Sequence, residues 1–401
     1  MPVLLIAVFI DLVGFGIIVP ILPFIAKAYG GSAFTGTALI SIYSLMTFLS
    51  GPIWGRLSDR IGRKPALMFT FMGAVISYIT LAHADSLAML FLARGMSGAM
   101  AGNVGVVMAS IADRTHEGNR GRALGWLGGV FGLGFAVGPG LGGLLGSMGS
   151  GPAIYLPGLT AAGLSLTAFI LTAVLMRESH PLKADTDITP DSTGAPGAAD
   201  VAPAAPPMRL SLLFTTPTRG LLFAMFTLLA VGQSITFSIT PFWAESALGW
   251  SEREVGFLMM AVGLMVAAVQ TFALGPIFRA VGEARALMGG MGLALAGAAI
   301  ISFGGGTVWS AIIGFPLTMT GMTAGFPALN SIVSMRTGSR DQGAALGLAN
   351  GMSALGRVAG PLSAGSLFSA ATPALPFLVL SVMACAILAW ASGQIGRERG
   401  G

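Results

Sequence analysis

Charged residues are scarce in this sequence: Asp, Glu, Lys and Arg together make up 9% of its 401 residues, where a soluble domain carries about 25%. So little charge excludes a chain whose whole surface meets water. Cysteine is almost absent as well. Cys385 stands alone in an apolar run, which excludes a disulfide framework or a thiolate metal site and predicts an inert, buried thiol. The three histidines, His83, His116 and His180, fall between apolar runs with no ligand spacing, so no metal centre is expected. No P-loop occurs, which removes ATP as an energy source. Neither clustered midplane acids and histidines nor a polar output domain is present, so the sequence predicts no enzyme, no sensor and no cofactor.

What the sequence has instead is apolar length. Hydrophobic residues make up 54% of it, with 59 glycines and a mean hydropathy of +0.82. A bilayer-spanning helix needs about 20 mostly apolar residues. That criterion predicts an all-α integral membrane protein with twelve spans, near 3–26, 35–55, 65–83, 86–112, 121–147, 153–176, 219–243, 253–274, 285–304, 307–334, 342–370 and 373–395. The first run lacks the basic head of a signal peptide and contains Asp11, so it is expected to be retained as a helix. Residues 177–218, rich in Pro, Ala, Asp and Thr, cannot bury a core and are expected to be a flexible polar linker. They divide the chain into a half at 1–176 and a half at 219–401.

The basic pI, about 9.9, does not indicate nucleic acid, because the cations recur in short clusters between spans rather than in one patch. Of the 21 Lys and Arg, Arg94 and Arg357 fall inside spans. If the N-terminus is cytoplasmic, the outer loops hold only Lys27 and Arg253, and the remaining cations, among them Arg56, Arg60, Arg114, Arg279 and Arg336, gather on the inner side. That bias predicts both termini inside. The halves also repeat. Segment 113–139 aligns without gaps to 335–361 at an offset of 222, so that Gly134, Gly138 and Pro139 match Gly356, Gly360 and Pro361. Paired six-helix halves around a central site are an architecture for alternating access.

Four segments carry more specific content. In GPIWGRLSDRIGRKPAL, 51–67, Gly51 and Gly55 permit a close helix approach, while Asp59 with Arg60, Arg63 and Lys64 sits where one helix ends and another begins. A carboxylate there can cap a helix or pair with arginine across a cytoplasmic gate; the bland alternative is topological charge alone. In the fifth span Gly134, Gly138, Gly142 and Gly146 form one flat face, and Pro139 should bend the helix. Asp11 is the only acid well inside a span, about 12 Å from the helix start at 1.5 Å per residue. Such residues are usually functional, and a buried carboxyl near a cation is one whose protonation its surroundings can switch; a permanent ion pair is the alternative. Arg94 is its natural partner, or else a structural residue bonded to carbonyls.

These segments resemble the major facilitator superfamily. GRLSDRIGRK, 55–64, is similar to its loop signature, and FIDLVGFGIIVPILPF, 9–24, ARGMSGAMAG, 93–102, and GLGFAVGPGLGG, 132–143, resemble motifs of its twelve-span drug:proton antiporters. IADRTHEGNRGRALG, VGQSITFSITPFW and LGWSEREVGF look like the tetracycline-efflux branch. The resemblance implies that Asp11 and Arg94 couple the proton gradient to export, and that the fifth-helix motif of Gly134, Gly138, Pro139 and Gly142 seals the halves against proton leak. Within the ninth span, GGMGLALAGAAI at 289–300 lacks the acid that tetracycline pumps typically carry, so the resemblance implies export of lipophilic drugs, tetracycline-like or multidrug, without fixing tetracycline itself. Asn103, Gln233, Asn330 and Asn350 are polar at membrane depth, each either substrate-lining or interhelical glue, and Arg357 either faces the cavity or bonds backbone.

The expected protein is a monomeric exporter of lipophilic small molecules in a bacterial inner membrane, with protons and the bilayer as its other partners. The competing reading is a facilitator of a small metabolite such as a sugar, for which the chain offers few polar groups at depth.

Overall fold

The computed structural model describes residues 2–115, 117–148, 152–179, 217–337, 342–370 and 372–399. The expected linker lies outside these apart from its ends. Every regular element among the described residues is helical. The spans are α1 (Pro2–Ala28), α2 (Ala33–Ile61), α3 (Arg63–Ala82), α4 (Leu87–Arg114), α5 (Glu117–Met148), α6 (Tyr155–Leu175), α7 (Pro217–Leu248), α8 (Glu252–Val281), α9 (Glu283–Phe303), α10 (Ser310–Met335), α11 (Gln342–Ala370) and α12 (Leu375–Arg399). Eleven helices are long and apolar enough to cross a membrane; α11, rich in Gly and Ser and carrying Asn350 and Arg357, is not among them but is 29 residues long and packed into the bundle.

Local chemistry sets the boundaries. Ser32 opens α2 with a capping box to Thr35, and Ser251 does the same for α8 with Glu254. Gly62, at φ +99°, separates α2 from α3, and Gly282, at φ +80°, separates α8 from α9. Both sit in backbone conformations that side chains resist, and both occupy the same place in their half. The spans themselves are irregular where proline or a bulge intervenes: α1 tightens to a 3₁₀ turn at Val19–Ile21, and α8 and α10 carry π turns at Val269–Ala273 and Ser310–Gly314. Cys385 on α12, expected to be buried, is exposed; an outer helix of a bundle turns such residues outward.

Within the halves, α1 packs on α5 and α6, and α7 packs on α11 and α12. The glycine face read from the sequence makes the first of these contacts. A methyl group on Gly138 would lie 2.7 Å from Gly16 Cα and 2.9 Å from the Val13 carbonyl oxygen, Gly134 abuts Leu12, and Gly142 abuts the Ile17 backbone. This face therefore binds α5 to α1 inside its own half. A neighbouring face of α5 meets the other half: Gly143 lies against Gly256 and Glu252, Gly140 against Met260, and Ala136 against Gly263, all on α8.

The second seam between halves joins α2 to α11, where Gly365 meets Phe34 and Thr37, and Ser41 donates to the Val358 carbonyl at 2.8 Å. An exposed ion pair, Lys27 with Glu245, and Phe242 against Gly36 add contacts from α7. All of these lie between the helix middles and the face that holds the loops 28–32 and 249–251. Toward the face holding both termini the halves part. Gly55 on α2, Gly125, Gly128 and Gly129 on α5, Gly275 on α8 and Gly347 on α11 have no neighbour within 4 Å of where a side chain would start. The interior is open to the terminal face and shut at the other.

Two outcomes follow. Gly138→Ala should destabilise the protein by about 1–3 kcal/mol, the range for overpacking a tight contact, whereas Gly163→Ala, where nothing lies within 4 Å, should be neutral; thermal melts in detergent compare them. Lys27→Glu, placing two carboxylates together, should speed maleimide labelling of a Thr37→Cys reporter in a Cys385→Ser background by up to about fivefold, since an exposed pair contributes at most about 1 kcal/mol. Adding Glu245→Lys should restore the original rate.

Candidate functional site

The middle of the interface is a layer of aromatic side chains. Phe15 on α1 touches Tyr43 on α2 at 4.6 Å between ring centroids and Phe135 on α5 at 5.6 Å; Phe135 touches Phe237 on α7 at 6.1 Å. The layer thus runs from the first half into the second. The Arg94 guanidinium lies over the Tyr43 ring at 4.5 Å and the Phe15 ring at 5.6 Å, a cation–π arrangement that stabilises a desolvated cation. Arg94 is 0% exposed. Its Nε donates to the Leu39 carbonyl at 3.4 Å, while both terminal nitrogens are buried with no acceptor. Leaving such donors unmet costs free energy.

Asp11 lies one turn before Phe15 on α1, half-buried. The spacing of four puts the two on one helix face. The structure does not pair Asp11 with Arg94: the ion pairs among the described residues are Lys27–Glu245, Arg63–Asp59 and Arg63–Asp113. Asp11 and Arg94 do share neighbours, since Tyr43 and Tyr78 lie within electrostatic reach of both. Asp11 is therefore a carboxyl with no ion-pair partner among the described residues.

The loop motif forms a separate cluster at the terminal face. Arg63 is buried and bonds Asp59 at 2.6 Å, Asp113 at 3.2 Å and the Ser58 hydroxyl at 2.6 Å. The backbone amides of Arg63 and Lys64 each donate to Glu178 at 3.0 Å, which satisfies the free N-terminus of α3, and the Lys64 ammonium donates to the Ala173 carbonyl at 2.6 Å. Asp59 thus pairs within its own half, and Arg56 and Arg60 are exposed. Gly51 approaches the Gly102 carbonyl at 3.9 Å, while Gly55 faces open space.

The remaining polar candidates divide. Asn103 is buried and donates to Thr70 at 3.1 Å, joining α4 to α3 away from the interface between halves. Gln233 donates to Thr323 at 3.0 Å, joining α7 to α10 one turn from Phe237. Asn330 is half-buried and Asn350 exposed, and neither has a hydrogen bond among the described residues. Arg357 is exposed along its helix and makes no ion pair or hydrogen bond among the described residues.

Sequence reasoning missed the aromatic layer, because four aromatics in an apolar chain carry no signal of where they point. It also missed Lys27–Glu245 and the Asp113 and Glu178 partners of the loop motif. For the first a signal existed: Lys27 is one of only two cations assigned to that side of the protein.

Comparison with known proteins places this architecture. The Major Facilitator Superfamily profile matches residues 4–361 and, again, 247–393. The class G tetracycline resistance protein of Vibrio anguillarum is 31% identical over 91% of this chain and 89% of its own length. The class B protein of Escherichia coli is 31% identical over 92% and 88%. Among solved structures, the nucleoside transporter NupG superposes with a TM-score of 0.74 over 98% of this chain and 98% of its own, at 14% identity, a likeness of fold alone. The chain is a multi-pass membrane protein that belongs to the major facilitator superfamily.

Proposed function

We propose that this protein is a proton-coupled exporter of lipophilic drugs that works by alternating access in a bacterial inner membrane, with both termini cytoplasmic. The observation that carries this reading is Asp11, a carboxyl at membrane depth with no ion-pair partner among the described residues, which shares Tyr43 and Tyr78 as neighbours with the buried Arg94. The relatives named as tetracycline resistance proteins support drug export, and the cation bias of the loops supports the orientation. On this reading the interior seen here opens to the cytoplasm. A drug enters past the aromatic layer while Asp11 is ionised. A proton arriving from outside neutralises Asp11 and favours drug release. Coupling requires only that drug and proton favour different states, with reciprocal effects on each other's affinity.

The loop motif is the cytoplasmic gate in this scheme. Gly51 and Gly55 leave a flat face of α2 free, and Arg63 and Lys64 hold α3 to its half, so that α11 can approach Asp59 and Arg60 when the inner side shuts. The fifth-helix motif of Gly134, Gly138, Pro139 and Gly142 keeps α1, and with it Asp11, in register with the α5–α8 seam. The proton gradient supplies the energy, and the working unit is a monomer.

The test is drug-triggered proton release from everted vesicles acidified inside, read with a pH dye. Wild type should release protons on addition of a transported drug, and Asp11→Asn at matched expression should reduce that release about tenfold or more, within the range of typical coupling factors. Release undiminished in Asp11→Asn moves the proton site elsewhere. No release with any compound of a broad lipophilic panel sinks drug antiport in favour of a metabolite facilitator.

A further inference from the structure

Arg357 is the one charge at membrane depth that the scheme above leaves without a role. Its direction follows from the internal repeat. At the offset of 222 its counterpart is Phe135, whose ring reaches Phe15 in its own half and Phe237 in the other. The flanking contacts repeat as well. Gly134 and Gly138 pack on α1 as Gly356 and Gly360 pack on α7, and Gly143 packs on α8 as Gly365 packs on α2. With both seams of α11 accounted for, the position between them that Phe135 fills in α5 is the central space, and Arg357 occupies that position in α11. Asn350, two turns away on the same face, is exposed, and its counterpart Gly128 also faces open space. The opposite side of α11 carries Leu355, Ala359 and Ser366, the side left for lipid. A repeat axis along the membrane normal keeps Arg357 at the depth of Phe135, and hence in the layer of Phe15 and Asp11.

The charges in that layer are two arginines, one per half, and one carboxyl. Arg94 is buried under aromatic rings, whereas Arg357 is exposed and unpaired among the described residues. An unpaired guanidinium at membrane depth favours an anionic partner, because a charge-assisted pair is stronger than a neutral hydrogen bond. A simple anion does not suit the exchange proposed above, however. Neutralising Asp11 makes the layer more positive and would tighten an anion's hold when release is needed. A ligand with both signs meets both demands: its cationic group competes with the proton at Asp11, and its anionic group pairs with Arg357.

We propose that the site selects lipophilic zwitterions, with Arg357 as the specificity residue that pairs with the acidic group of the substrate. This rests on the export reading, with Asp11 as the proton site. The test uses one scaffold in three charge forms: a fluoroquinolone with a free piperazine amine and a free carboxylate, its methyl ester, which is a cation, and its N-acetyl derivative, which is an anion. Binding is measured by tryptophan fluorescence on the purified full chain in nanodiscs at neutral pH.

Wild type should bind the zwitterion about tenfold more tightly than the ester, the scale of one well-formed charge pair. Arg357→Gln should erase that preference while leaving ester affinity within about twofold, which also certifies the fold of the variant; Arg357→Lys should retain part of it. Equal binding of zwitterion and ester by wild type overturns the proposal, as does an equal loss of both ligands in Arg357→Gln or failure of all three forms to bind. Proton release driven by lipophilic cations in the vesicle assay would, in each of these cases, keep the export reading intact while the zwitterion proposal falls. Silence in both assays removes the two together.

Discussion

Close backbone contact at glycine is the constraint on which this bundle depends. Lipid tails are as apolar as leucine, so helices inside a bilayer gain little from burying apolar side chains against each other and must rely on tight van der Waals fit. The protein meets this with one helix, α5, that carries two adjacent small-residue faces. Gly134, Gly138 and Gly142 bring it onto α1, and Gly140, Gly143 and Ala136 bring it onto α8 of the other half. α11 repeats the arrangement, with Gly356 and Gly360 on α7 and Gly365 on α2. Each half is thereby fixed to its own central helix while touching the other along seams in which glycine takes one side of the closest contacts.

That division leaves room between the halves for a layer of larger residues. Phe15, Tyr43, Phe135 and Phe237 fill it, and the two intramembrane arginines and Asp11 lie in or beside it. A charge exposed to lipid would be expelled, and one buried in a half would need a partner. Arg94 meets that need only partly, through two ring faces and one carbonyl.

Much of this was legible in the sequence, and the reasons for the rest are physical. Twelve helices could be read from runs of about 20 apolar residues. Their ends could not: α2 continues to Ile61 and α8 to Val281, well past the predicted 55 and 274. A helix stays intact beyond the bilayer until a residue such as Gly62 or Gly282 breaks it, while hydropathy counts only the part in lipid. The glycine spacing predicted a flat face on α5 but not which neighbour it meets, and the seam between halves turned out to be the adjoining face. Asn103 was open between a substrate-lining residue and interhelical glue, and its hydrogen bond to Thr70 joins two helices, a distinction that spacing alone does not contain. Asp11 and Arg94 stand out in the sequence by rarity, yet whether they pair depends on a few ångströms of helix placement, and the structure does not pair them. Arg357 had no orientation until the contacts of its repeat partner Phe135 were seen.

The polar contacts between the halves show how readily the seam can part. Each half is tied internally by many buried bonds, such as Trp54 to the Ala99 carbonyl at 2.7 Å, Thr47 to the Gly98 carbonyl at 3.0 Å and Arg63 to Asp113. Between the halves, the polar contacts among the described residues are Ser41 to the Val358 carbonyl and the exposed pair Lys27–Glu245. A single hydrogen bond contributes about 1 kcal/mol and an exposed ion pair at most about the same, so the polar cost of separating the halves at the closed face is on the order of 2 kcal/mol. The rest of the seam is close packing at glycine, against backbone where Gly143 meets Gly256 and against side chains such as Met260 and Phe242. Gly125, Gly128 and Gly129 on α5 and Gly347 on α11 stand open at the other end of the bundle. The polar contacts between the halves therefore add little to the close packing at glycine that joins them.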